Sequence, residues 1–153
     1  MSERTELRDT IRRLLASQRL AVLATQGDGQ PYTSLVTLAA TDNLAHVIFP
    51  TLRRSTKYSH LNADARVALL LDNRCDQAPG SPDAMALTAI GVAREVPSED
   101  MARLTQLYLS RHPHLRDFLQ DPDCALVEVQ VRQYRLVRQL QHVSELNIVG
   151  EDV

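Results

Sequence analysis

Cysteine is scarce in this chain: Cys75 and Cys124 are the only two in 153 residues, and they stand far apart. That excludes a disulfide framework and reads as a pair of reduced thiols in a cytoplasmic protein. No apolar run reaches membrane-spanning length, and the polar stretch Met1 to Asp9 has no apolar core of the secretory kind. Gly-x-Gly-x-x-Gly and Walker patterns are both absent, which argues against a doubly wound nucleotide-binding sheet. Positive charge is not in excess either. Seventeen Lys and Arg against 19 Asp and Glu leave a net charge of −2, so nucleic acid is not the expected partner. There is no nucleophile elbow and no base beside either cysteine, so no catalytic constellation declares itself and the catalytic residues stay unknown.

What is present is an ordinary globular composition, 44% hydrophobic and 24% charged, enough for one domain over residues 1–153. Leu7, Ile11, Leu14 and Leu15 recur at helical spacing and predict an amphipathic helix over 3–18. Leu20 to Thr25 and Pro31 to Ala39 read as strands joined by the tight turn Gly27-Asp-Gly-Gln30. After the turn Thr41-Asp-Asn43, a third strand, Ala45 to Phe49, ends at Pro50, and a short helix follows over 54–62. Arg66 to Leu71 is a fourth strand, and Asp72 to Asp83 carries loop residues without apolar period. Ala84 to Glu95 is a long fifth strand with Gly91 as a bulge or bend. Helical spacing returns over 98–110, with Ser98 as a cap, and again around 115–119. A last strand alternates Ala125, Val127, Val129 and Val131 with more polar positions. Six strands on short turns with helices between predict a mainly β (α+β) fold, a six-stranded antiparallel barrel with peripheral helices.

The segment Thr51-Leu-Arg-Arg-Ser-Thr-Lys57 carries its charge on the wrong end of a helix. A helix N-terminus is partly positive, so Arg53, Arg54 and Lys57 there are mildly unfavourable unless an anion sits among them. With the hydroxyls of Thr51, Ser55 and Thr56 the group has the makings of a phosphate cradle, while the alternative is a solvated basic turn. His112 and His114 lack partners at metal-ligand spacing, so no metal site is expected. His46 and His60 read as a strand and a helix-surface residue, and His142 as part of a surface tail.

Taken in order, Ala21-Val-Leu-Ala-Thr25, Gly29-Gln-Pro31, Tyr32-Thr-Ser-Leu-Val-Thr37, Thr51-x-Arg-x-Ser-Thr-Lys57, His60-Leu-Asn62 and Arg66-Val-Ala-Leu69 resemble the pyridoxamine 5′-phosphate oxidase-like FMN-binding split-barrel family over roughly residues 5–135. The resemblance implies FMN as cofactor, with its phosphate on Arg53, Ser55, Thr56 and Lys57, its ring along Thr33, Ser34, Leu35 and Val36, and its ribityl chain at Pro50 and Thr51. It also implies a split β-barrel, a homodimer whose second chain completes the site, and oxidoreduction of an unidentified small molecule. Runner-up readings are a non-catalytic flavin- or haem-binding module, with His142, His112 or His114 as haem ligands, and a deazaflavin-dependent reductase. The chain departs from the namesake oxidase. That enzyme ends in Arg-x-His, whereas here Arg138-Gln-Leu-Gln-His142 has the wrong spacing, and there is no Trp to wall off a substrate.

Overall fold

The structure is a computed structural model that describes residues 2–139 and 141–148. Helix α1 (Glu3–Ser17) starts where Ser2 Oγ accepts the Thr5 N–H, and buries Ile11, Leu14 and Leu15. Strands β1 (Leu20–Gly27) and β2 (Gln30–Thr37) form a hairpin. Its two central residues, Asp28 and Gly29, have φ of 51° and 80°, the left-handed pair that a tight hairpin turn needs. The remaining elements are β3 (Ala39–Ala40), β4 (His46–Leu52), α2 (Thr56–Ala63), β5 (Arg66–Asp72), β6 (Met85–Glu95), α3 (Ser98–Arg111), α4 (Arg116–Leu119), β7 (Cys124–Arg138) and β8 (His142–Asn147). All the strand pairings are antiparallel, in the order β2-β1-β5-β6-β7-β4-β3, with β8 on β7.

The result is an antiparallel sheet curled into a split barrel with helices around it, as the sequence predicts, but built from eight strands among the described residues instead of six. The two additions are the two-residue β3 and β8, which replaces the expected tail and places His142, exposed, at its first residue. Strand β4 also runs through Pro50 to Leu52 instead of stopping. The Ala45 carbonyl accepts from Val131 on β7, and the His46 carbonyl accepts from Thr41, on the β3 side. Alternation then turns Pro50 away from β7, and β3 stops pairing at Ile48, so the missing N–H costs no ladder bond. Helix α2 begins two residues later than predicted, and Ser55 is its cap. In α3 the cap position falls on Pro97, so Ser98 is the first helical residue and caps nothing.

The main core fills the inside of the curl, with Leu23, Leu69, Leu87, Val129 and Tyr134 among its buried residues. A second, smaller cluster (Ile48, Leu104, Tyr108 and Leu126 among others) seats α3 against the back of β4 and β7. His112, at the end of α3, is fully buried beside it, with Nε2 donating to the Leu38 carbonyl at 2.7 Å. His60 is half-buried as well. Its Nδ1 lies 3.0 Å from Thr25 Oγ1 and its ring so close to Gly27 that a Cβ there would sit 2.5 Å from Nε2. His60 is therefore not the helix-surface residue that the sequence predicts.

Candidate functional site

Strand β2 is one edge of the sheet, and past Ile48 the outer side of β4 is uncovered, so the curl leaves a seam between them. The Leu38 N–H donates to Arg19 beside β1, so in β2 the even positions face β1 while the backbone groups of Thr33, Leu35 and Thr37 face the open edge. Along this seam lies a cavity of about 300 Å³, lined by Leu35, Val36 and Thr37 of β2, Pro50, Thr51 and Leu52 of β4, Ser55 and Lys57 at the start of α2, Tyr108 of α3, and Leu115 and Phe118 beyond it.

Of the residues singled out from sequence, Leu35, Val36, Pro50, Thr51, Ser55 and Lys57 thus meet in one place. Thr33, Ser34, Arg53 and Thr56 are not in its lining. Thr33 is exposed, while Ser34 Oγ is buried with no hydrogen-bond partner among the described residues. Arg53 turns aside to Glu95, and Thr56 points to solvent. Sequence reading missed Thr37, Leu52, Tyr108, Leu115 and Phe118. It also passed over a plain signal: Lys57 is the only lysine in the chain, against 16 arginines.

The hydroxyls are less available than the sequence implied. Ser55 Oγ donates to the Leu52 carbonyl at 2.7 Å and accepts the Tyr58 N–H at 3.3 Å. In its 3.1 Å contact with Thr51 Oγ1 the threonine is therefore the donor, so both hydroxyl protons are used inside the protein. The N–H groups of Thr56 and Lys57, at the N-terminus of α2, have no partner among the described residues, and neither has the Lys57 ammonium. Charge at this end of the cavity is positive and comes from one side chain and one helix terminus.

The electrostatic anomaly seen in the sequence is two-thirds resolved by the protein itself. The Arg53 guanidinium lies 3.1 Å from Glu95, which raises its affinity for its proton, and Arg54 lies 3.1 Å from Asp123. The Tyr58 hydroxyl, through a short hydrogen bond, and Arg53 hold the Glu95 carboxyl below its ordinary range. At the other wall Tyr108 is fully buried, which pushes its phenol well above the usual value, and its hydroxyl donates to the Thr37 carbonyl at 3.1 Å.

The sequence pattern of the pyridoxamine 5′-phosphate oxidase family matches residues 7–138. The chain belongs to this family. A search of curated proteins finds no match. Among solved structures, a haem-binding protein from Mycobacterium smegmatis superposes with a TM-score of 0.83 at 18% identity, over 99% of this chain and 60% of that one. General Stress Protein 26 from Bacillus anthracis gives 0.69 at 16% identity over 94% and 99% of the two chains. An FAD-binding protein from Mesorhizobium loti gives 0.66 at 20% over 81% and 88%. At such identities the likeness is one of fold. The structural neighbours of this chain thus include one described as haem-binding and one described as FAD-binding. No helix among the described residues is long and apolar enough to cross a membrane.

Proposed function

We propose that this member of the pyridoxamine 5′-phosphate oxidase family is an FMN-binding oxidoreductase acting on a small molecule. The observation that carries the proposal is the seam cavity, where short and apolar positions of β2 and β4 converge with a lysine that has no carboxylate partner among the described residues. Lys57 and the N–H groups of Thr56 and Lys57 would hold the phosphate. The open edge of β2 at Leu35 and Thr37, with Pro50 opposite, offers a flat wall with backbone donors and acceptors for a planar ring. Bound flavin would supply the hydride or electron transfer, which fits a cavity lining that holds no acid–base or nucleophilic constellation. The chain's part is to orient the ring, exclude water with Leu115 and Phe118, and neutralise the phosphate.

A homodimer belongs to the same reading. A cavity of about 300 Å³ is at the small end of ligand sites, so one chain supplies only part of an enclosure. Exposed apolar side chains run from β2 onto the strands beside it, with Leu35 of β2, Leu20 of β1, Leu70 of β5 and Ile90 of β6 at 66, 54, 44 and 37% exposure. Register lines up Leu35, Val22 and Leu70 across β2, β1 and β5, a patch that a second copy would cover.

Titration of the purified full-length protein with FMN and with riboflavin, followed by flavin absorption and fluorescence, tests the reading. We expect FMN to bind more tightly than riboflavin, and Lys57→Ala to lose about 10- to 100-fold in FMN affinity, the worth of a charge-assisted contact, with little change for riboflavin. A wild type that binds neither, or a Lys57→Ala that binds FMN unchanged, sinks it. Reduction of the bound flavin by NADH or NADPH, followed by reoxidation, separates turnover from a purely binding role. Titration with a deazaflavin phosphate distinguishes that cofactor, which the same cation could hold. A haem reading draws on His142, exposed in a hollow of about 650 Å³ between α1 and β8, and on the Mycobacterium smegmatis neighbour. His112 is removed from it, being fully buried with Nε2 on the Leu38 carbonyl. A Soret band in the purified protein decides for haem.

A further inference from the structure

The turn before α2 holds three cations, and the protein treats them differently. Arg53 Nη1 donates to the carbonyls of Pro122 and Cys124 at 3.2 and 3.0 Å, and Nη2 donates to Glu95 Oε2 at 3.1 Å. Its own backbone N–H donates to the Asp123 carbonyl at 2.7 Å. Arg54 Nη1 meets Asp123 Oδ2 at 3.1 Å. Both guanidinium groups are thus drawn toward the 121–124 turn and the end of β6, and neither lines the seam cavity, whereas Lys57 does. Glu95 is the pivot. One carboxylate oxygen takes Arg53, before the turn, and the other takes the Tyr58 hydroxyl, after it. Tyr58 in turn donates its N–H to the capping Ser55 Oγ, and Ser55 donates to Leu52, which closes the loop of contacts around Lys57.

We propose that Glu95 is a positioning residue that clamps both ends of the 53–58 turn so that Lys57 is the one cation of the three to meet the ligand phosphate, and that Arg53 is a strut and not a phosphate ligand. This rests on reading the seam cavity as a phosphate-ligand site, and it reverses the role that resemblance alone gives Arg53. A guanidinium fork that holds a carboxylate and two carbonyls at once has no substitute in lysine, whereas a bare positive charge beside a phosphate has. The two roles therefore answer differently to the same substitution.

The single lysine makes a direct test possible. Reductive methylation with ¹³C-formaldehyde labels Lys57 and the N-terminal amine only, so one NMR resonance reports the Lys57 environment in the ligand-free full chain. Glu95→Gln, Tyr58→Phe and Arg53→Lys are each expected to move that resonance toward the position of a freely solvated lysine. On unlabelled protein the same three variants are expected to lower FMN affinity by about 3- to 10-fold, the worth of one or two hydrogen bonds, and to leave riboflavin affinity unchanged. If Arg53 were a phosphate ligand, Arg53→Lys would keep its affinity and Glu95→Gln, by releasing the guanidinium, would raise it; either result overturns the proposal. An unmoved Lys57 resonance in Glu95→Gln overturns it as well, whether or not FMN binds. A wild type with no preference for FMN over riboflavin defeats the phosphate reading, while the resonance still decides the positioning role. Tyr58→Phe removes one oxygen only, and keeps the test usable if a charge variant fails to fold.

Discussion

Replacing Gly91 by alanine should be among the most damaging single-methyl changes in this protein, and the reason is geometric. Gly91 sits where the β6–β7 register shifts: Ile90 pairs with Gln133 but Gly91 with Val131, so Arg132 is the extra residue of a bulge on β7. A Cβ at Gly91 would lie 2.2 Å from the Gln130 carbonyl oxygen, 2.9 Å from the Gln130 carbonyl carbon and 3.1 Å from Val129 Cγ1. Ordinary contact begins at 3.4 Å, so the two backbones must part by about 1.2 Å, in the middle of the longest ladder of the sheet. Overpacking of this kind costs about 1–3 kcal/mol, and each ladder bond lost as the strands separate adds about 1 kcal/mol. A loss of about 3 kcal/mol follows, a large share of the stability of a domain this size. In urea unfolding followed by circular dichroism, a slope near 2 kcal/mol/M turns this into a midpoint lower by about 1.5 M. The melting temperature should fall by roughly 6–12 °C. Gly29→Ala is the control. Gly29 has φ of +80° with nothing within 4 Å of a built Cβ, so only the backbone strain of about 1–2 kcal/mol applies. A Gly91→Ala protein within about 0.5 kcal/mol of wild type would refute the reasoning. The site is involved too, because the register from Gly91 onward sets where Glu95 stands against Arg53.

Two further outcomes are open to measurement. His112 Nε2 is the donor to Leu38, so the neutral ring leaves Nδ1 as a buried acceptor without a partner among the described residues, with the Tyr108 ring tilted against it at 4.8 Å and the cations of Arg111 and Arg19 nearby. Burial lowers its proton affinity, so the unfolded chain takes up a proton first and stability must fall as pH drops below about 6.5, the unfolded value. Urea midpoints between about pH 7.5 and 5 should show that slope, and His112→Gln, which keeps a donor for Leu38, should flatten it; an equal slope in both assigns it elsewhere. On the outer face of β5, Leu70→Asp should convert a dimer into a monomer in sedimentation, since Leu70 is 44% exposed and outside the seam cavity. A wild type that sediments as a monomer removes the basis of this prediction.

Much of the frame was legible because its signals are local. The Asp28-Gly29 turn, the alternation from Val127 to Val131, the Gly91 bulge and the helical spacing of Ile11, Leu14 and Leu15 each report on their own few residues. What was missed depended on distant neighbours. Strand β8 has a weak pattern of its own, with Val143 exposed and Leu146 buried, and forms because β7 continues far enough to pair with it. Whether Pro50 ends a strand depends on which way its nitrogen faces, which only the β4–β7 register decides. The cationic turn drew attention by a real oddity of charge, yet the carboxylates that answer Arg53 and Arg54 lie 42 and 69 residues away in sequence. Tyr108, Leu115 and Phe118 fall in the stretches that helical spacing marks over 98–110 and around 115–119, and that spacing alone carries no sign of a cavity. Tyr108 does pack, but its ring also closes the cavity.

The seam itself needs a cause, because an open edge between β2 and β4 would ordinarily pair or aggregate. At the end of β2, the Thr37 carbonyl is held by Tyr108 of α3, and the Leu38 carbonyl just beyond the strand by His112, the residue that follows α3. At the β4 side Pro50 has no N–H to offer, and Leu52 gives its carbonyl to the backbone and side chain of Ser55. Both edges are therefore blunted by the helices that flank them, and the strands are kept from meeting. The same contacts that stop the barrel closing line the gap with Tyr108 on one wall and carry Ser55 and Lys57 to the other. The cavity is in this sense a consequence of how the sheet is left unfinished, and its charge follows from Lys57 being the one cation there that Glu95 and Asp123 leave unneutralised.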